Sequence, residues 1–202
     1  MKNFLRRPPV YVAITALVAF VAGAAFMLVV NSSSPGEDSP EAGFARDMST
    51  HHSQAVAMSM HQWEAGEDDA LRAIAYDIAT GQQGEIGMMS DWLRDWNVSL
   101  TATDPPMQWA EGDHEHEAGE GLMPGQATPE EMDELFSLEG HEADVMFAEL
   151  MIRHHIGGID MAEAVLPLTN EDSVYRAALR MKSNQETEVR AVEMHLERIL
   201  AA

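Results

Sequence analysis

FARDMSTHHSQAVAM, from Phe44 to Met58, and FAELMIRHHIGGIDM, from Phe147 to Met161, are one pattern written twice, 103 residues apart. Phe, Ala, Met, His, His and Met coincide. The register then continues without a gap to Leu93 over Leu196, through Asp69/Asp172, Ala75/Ala178, Gln82/Gln185 and Glu85/Glu188. Matches that gather on chemically capable residues point to a duplicated unit. Each copy reads as two amphipathic helices. The first runs from about Glu41 to Glu64, breaks at Ala65-Gly66-Glu67-Asp68, and is followed by a second from about Asp69 to Asp95. In the second copy the helices cover roughly Glu139 to Leu166 and Asp172 to Leu200, with Pro167 and Thr169-Asn170 in the turn and Asn170 or Asp172 placed to cap. Thr128-Pro129-Glu130-Glu131 opens a further short helix with a capping box. Strand-like alternation is missing, and two amphipathic hairpins must bury their apolar faces against each other. The expected fold is therefore all-α, a four-helix bundle of two repeated helical hairpins about a pseudo-twofold axis.

At about 100° per residue, Met48, His51, His52, Ala55 and Met58 share one helix face, and so do Met151, His154, His155, Gly158 and Met161. On the second helix of each hairpin, Gln82 and Glu85 share a face with Ala75, Ile78 and Met89, and Gln185 and Glu188 share one with Ala178, Met181 and Val192. Two carboxylates, two amides and four imidazoles on inward faces cost several kcal/mol each unless something compensates them. Two readings remain open. In one, glutamates and histidines satisfy each other and fix the register of a polar core that serves a structural or partner-binding bundle. In the other, the side chains hold a metal. Thioether sulfur is a soft donor that suits Cu(I) or Ag(I), and imidazole suits copper, zinc, iron and nickel. A third reading, a di-metal oxidoreductase, is disfavoured: such centres use Glu-x-x-His and four carboxylates, whereas Gln-x-x-Glu occurs here and only two carboxylates face inward.

The doubled MxxHHxxxxxM element, the second copy within MIRHHIGGIDMA, resembles the signature of the family catalogued as domain of unknown function 305, over about Phe44 to Leu200. The resemblance implies a ferritin-like bundle, secreted or membrane-anchored, and for some members periplasmic copper binding through Met and His. Carried onto this chain, it implies Met48, His51, His52 and Met58, with Met151, His154, His155 and Met161, as ligand candidates. Gln82, Glu85, Gln185 and Glu188 join them from the facing helices. Met88, Met132, Met146 and Met181 read as core filling, and Met58, Met60 and His61 as a second, outer capture point.

Outside the repeats, composition sets the limits. Twelve Lys and Arg against 34 Asp and Glu give a net charge of -22, which excludes a protein that works by neutralising nucleic-acid phosphates. The absence of Cys excludes disulfides, zinc ribbons, iron–sulfur clusters and thiol catalysis. Residues 1–9 are basic through Lys2, Arg6 and Arg7. Residues 10–30, VYVAITALVAFVAGAAFMLVV, carry no charge and suit a transmembrane anchor with the N-terminus in the cytoplasm, or a signal peptide cleaved near Ala22-Gly23-Ala24. Residues 31–43 read as a flexible linker, and 44–200 as the bundle domain. Within it, repeat 1 spans 44–96 and repeat 2 spans 129–200, joined by an acidic connection over 97–128. His114 and His116 lie among acids in that connection, flanked by Met107 and Met123, and could form a loose metal-scavenging arm. Trp92, Trp96 and Trp109 are expected to cover one bundle end. The combined expectation is an extracytoplasmic, membrane-anchored copper-binding protein without catalytic activity, whose partners are a metal ion and the membrane, with a homo-oligomer or a membrane-protein partner left open.

Overall fold

The computed structural model describes residues 10–31, 34–101, 104–110 and 121–201, and within its first helix the side chains of residues 12–24. Residues 1–35 and 36–202 form two separate units. The first contains α1 (Val10–Asn31), whose described side chains are all exposed. Among the described residues no helix is long and apolar enough to cross a membrane, so the structure does not support the expected anchor.

The second unit is an all-helical bundle of α2 (Pro40–Ala65), α3 (Asp69–Asp95), α5 (Gly140–Val165) and α6 (Asp172–Leu200), with short α4 (Pro129–Ser137) laid against α2 and α5. No strand occurs among the described residues. The chain chemistry explains the boundaries. Ser39 caps α2 by accepting from the Ala42 N–H at 3.2 Å, with Pro40 in the first turn. Asp68 caps α3 through the Leu71 N–H at 3.0 Å. At α4 the capping box is complete, with Thr128 and Glu131 each accepting the other's backbone N–H. Two expectations need correction. The linker does not reach residue 43, because Pro40–Gly43 already form the first turn of α2 and Arg46 ties back to the Glu37 carbonyl at 2.9 Å. And α6 is preceded at its N-cap by Glu171, which makes no side-chain cap bond. Asn170 instead donates its N–H to Glu41 at 3.3 Å.

Each hairpin packs on itself, α2 on α3 and α5 on α6, and α2 crosses α5 to join the two. The join is antiparallel in effect. Met48 shares one buried cluster with Met161, Met89, Met123 and Met181, while Met58 shares another with Met151, Phe147 and Leu135. At one end, Trp92 stacks on Trp96 and Trp109 meets Phe44 edge-on at 5.7 Å, all three packed against the first cluster as expected.

Candidate metal centre

Between those two methionine-bearing clusters lie the histidines. His51 and His52 are fully buried, and His154 and His155 are 1% exposed. The rings of His51 and His154 lie against each other, 3.8 Å between centroids and tilted by 32°, where α2 crosses α5. His52 and His155 flank them, with centroids 6.5 Å from His51 and 6.3 Å from His154 respectively. The crossing thus places the histidines of both motif copies together and the paired methionines above and below. Sequence spacing alone does not reveal that each layer draws one residue from each copy.

Hydrogen bonds then fix which nitrogen is free. His52 Nε2 contacts Glu85 Oε2 at 2.7 Å, and His155 Nε2 contacts Glu188 Oε2 at the same distance. His51 Nε2 contacts the Pro124 carbonyl at 3.0 Å. A carbonyl or ionised carboxylate oxygen only accepts, so each of these nitrogens carries the proton and donates. The other ring nitrogen, Nδ1, is then an unprotonated lone pair in neutral imidazole. In His51, His52 and His155 that Nδ1 is buried without a partner, and in His154 both nitrogens are. Burial, reinforced by neighbouring His52, lowers the pKa of His51 to about 3, and burial, reinforced by neighbouring His51 and His155, holds His154 well below the ordinary histidine value. Both are therefore neutral at physiological pH.

An unmet buried polar group costs about 1–3 kcal/mol, and here at least four such atoms face one interior. Oxygen acceptors on Nε2 with a bare Nδ1 are the outer support that metal-ligating histidines ordinarily receive. The donors present fit a soft ion: imidazole lone pairs with thioether sulfur one helical turn away at Met48 on α2 and Met151 on α5, and nearly two turns away at Met58 and Met161. Nitrogen and oxygen alone do not complete a site, since no three His, Asp or Glu are grouped to hold a metal among the described residues.

Other predicted positions fare differently. Glu85 and Glu188 engage the histidines rather than each other. Gln82 and Gln185 line a small cavity with them between α3 and α6. His61 donates to the Leu138 carbonyl at 3.0 Å and packs on Phe136, while Met60 is 47% exposed and Met58 lies in the core, so no outer capture point assembles. Met123 is buried in the first cluster, and Met107 donates its N–H to Asp47 at 2.7 Å, so neither rides on a free arm. His114 and His116 lie outside the described residues. The Pro124 carbonyl was not foreseen. The paired Gly157-Gly158 is its only trace in the sequence, since a Cβ at Gly157 would come within 2.0 Å of that oxygen.

Fold and site together define a helical bundle of two duplicated hairpins around a buried, cysteine-free Met/His interior. The domain-of-unknown-function DUF305 model matches residues 41–196, and the chain belongs to that family. It is similar to a DUF305 protein from Streptomyces coelicolor, inferred to be secreted, at 39% identity and TM-score 0.74, covering 81% of this chain and 96% of that one. It is also similar to a DUF305 fragment from Deinococcus radiodurans, at 28% identity and TM-score 0.64, covering 81% and 99%. CopM in its Cu(II)-bound form shares the fold at 23% identity and TM-score 0.61, covering 78% of this chain and 96% of that chain. Among curated proteins none matches.

Proposed function

We propose that the bundle binds copper as Cu(I) and sequesters or delivers it outside the cytoplasm, through Met48, His51, His52, Met58, Met151, His154, His155 and Met161, without catalytic turnover. The observation that carries this reading is His154. It is buried to 1% exposure with its ring tilted against a second histidine, and neither ring nitrogen makes a hydrogen bond of normal geometry. Glu85 and Glu188 orient His52 and His155 rather than ligating. CopM, of the same fold, is described in both a Cu(II)-bound and a Cu(I)-bound form, which supports the choice of metal. Extracytoplasmic placement is supported by the basic start and uncharged run of residues 1–30 and by the Streptomyces relative. We read residues 10–30 as a membrane tether. Intact mass of the mature protein tests it, because loss of residues up to about Ala24 would show cleavage instead.

A second reading has one observation in its favour. The two His–Glu pairs at 2.7 Å satisfy each other's polar atoms and could serve only to specify the core. Titration of residues 36–202 with Cu(I) against a competing chelator separates the two, since this unit holds its own buried clusters. Sub-micromolar binding that disappears when His51, His52, His154 and His155 are all replaced by Ala supports copper. Binding weaker than micromolar, or unchanged in that variant, supports the structural reading.

A further inference from the structure

The histidine pair is walled on three sides. Along the bundle axis the two buried clusters close it above and below. On the outer face of α2 and α5, the segment 123–127 is held across both helices. Gln54 of α2 bonds the Ala127 carbonyl and N–H at 2.9 and 2.8 Å, and Gly157 of α5 lets the Pro124 carbonyl come down on it. Gly125, at φ 70°, is pressed against the Arg153 carbonyl, where a Cβ would sit at 2.3 Å. No substituent fits there, so that face is closed by backbone.

The fourth side differs. Gln82 and Glu85 of α3 and Gln185 and Glu188 of α6 surround a cavity of about 30 Å³ that opens to solvent, enough for one water-sized guest. The Glu85 and Glu188 side chains are 24% and 30% exposed, yet each touches a buried histidine. They are the residues that reach both water and the imidazoles. Gln82 and Gln185 are 5% and 3% exposed, and Oε1 of the first and both amide atoms of the second have no hydrogen-bond partner. Polar atoms left unmet beside a passage, rather than buried in apolar packing, are suited to a polar traveller.

We propose that this α3/α6 cavity is the port through which a cation reaches the buried histidines. Glu85 and Glu188 draw the cation from solvent, aided by a chain of net charge -22. The amide oxygens of Gln82 and Gln185 serve as passing ligands, as carbonyl oxygens do for ions in transit. Gln82 and Gln185 are not among the proposed ligands, so they control how fast the ion arrives and not how tightly it is held. This rests on the copper reading above.

The test uses the full chain with Cu(I) supplied as its bicinchoninate complex, following colour loss for rate and the end point for affinity. In Q82L/Q185L, apolar groups fill the port. Loading is expected to slow at least about tenfold with affinity kept within a factor of about three. In Q82N/Q185N, each amide is shortened by a methylene and the port widens, so loading quickens. That arm stays informative even if the leucine variant misfolds. Equal rates in all three proteins would overturn the port, as would a leucine variant whose affinity falls as far as its rate, since the glutamines would then be ligands. A wild-type chain that takes no Cu(I) sinks the copper reading itself and the port with it.

Discussion

His52 in the first hairpin and His155 in the second have the same partner at the same 2.7 Å distance, Glu85 and Glu188, both 33 residues onward. His51 and His154 lie tilted against each other but do not match. His51 donates to the Pro124 carbonyl, whereas neither ring nitrogen of His154 makes a hydrogen bond of normal geometry, its nearest polar approach being the His51 backbone. The difference comes from the part of the domain that occurs once. Segment 123–127 lies between the repeats and meets only one of the two central rings. Duplication produces symmetric support, and a single loop breaks it, leaving His154 as the histidine whose polar atoms are least met.

Acid titration gives the largest expected effect. The unfolded-state pKa of histidine is near 6.5, while His51 in the folded protein lies at about 3 and His154 well below the ordinary value. Between those limits the unfolded chain binds more protons, so stability of the metal-free protein falls as pH drops below about 6.5, by about 1.4 kcal/mol per pH unit for each histidine. Denaturant melts between pH 6.5 and 5 would show it, above the range where most carboxylates titrate. Replacing either ring by Leu should remove one share of the slope. A flat profile would mean that these rings are not buried as neutral groups.

Next come the glutamates. Glu85→Ala and Glu188→Ala each leave an Nε2–H unmet and unfix a ring, and should lower Cu(I) affinity by about 10–100-fold. Chelator competition should find the two losses alike. A marked inequality would break the symmetric half of the comparison.

The central rings sharpen the other half. His154→Leu removes a buried histidine without a hydrogen bond of normal geometry and should stabilise the metal-free protein by about 1 kcal/mol, while weakening copper binding. His51→Leu strands the Pro124 carbonyl and should give no such gain. Equal thermal shifts for the two would show that the loop does not distinguish them.

Helix ends supply the smallest effect. Ser39→Ala removes a cap from α2 and should cost about 1 kcal/mol, whereas Glu139→Ala, at the equivalent but uncapped start of α5, should cost close to nothing.

Much of this architecture is legible in the sequence because it is carried by side-chain pattern. The helical register put Met, His and Gln/Glu on inward faces, the break at Gly66 set the start of α3 at Asp69, and Thr128 announced α4. What stayed hidden depends on backbone and crossing geometry. Nothing in the residues near Met48 says that its layer mate is Met161 rather than Met151, because that follows from the direction in which α2 meets α5. The Pro124 carbonyl has no side-chain signature at all. Asp47, buried and raised in pKa by that burial, accepts from the Met107 N–H and the Trp109 indole, a contact made across 60 residues by a loop whose composition reads as polar. Helix patterning describes faces, and a loop that reaches back onto a helix leaves only glycines such as Gly157 to mark it.

The most direct test of a Met/His interior that holds copper is X-ray absorption at the copper edge on residues 36–202 loaded with one equivalent of Cu(I). The expected spectrum contains sulfur and nitrogen scatterers together, with the nitrogen contribution reduced in His154→Leu. A first shell of oxygen and nitrogen alone, unchanged by that substitution, would place the copper elsewhere and contradict the account.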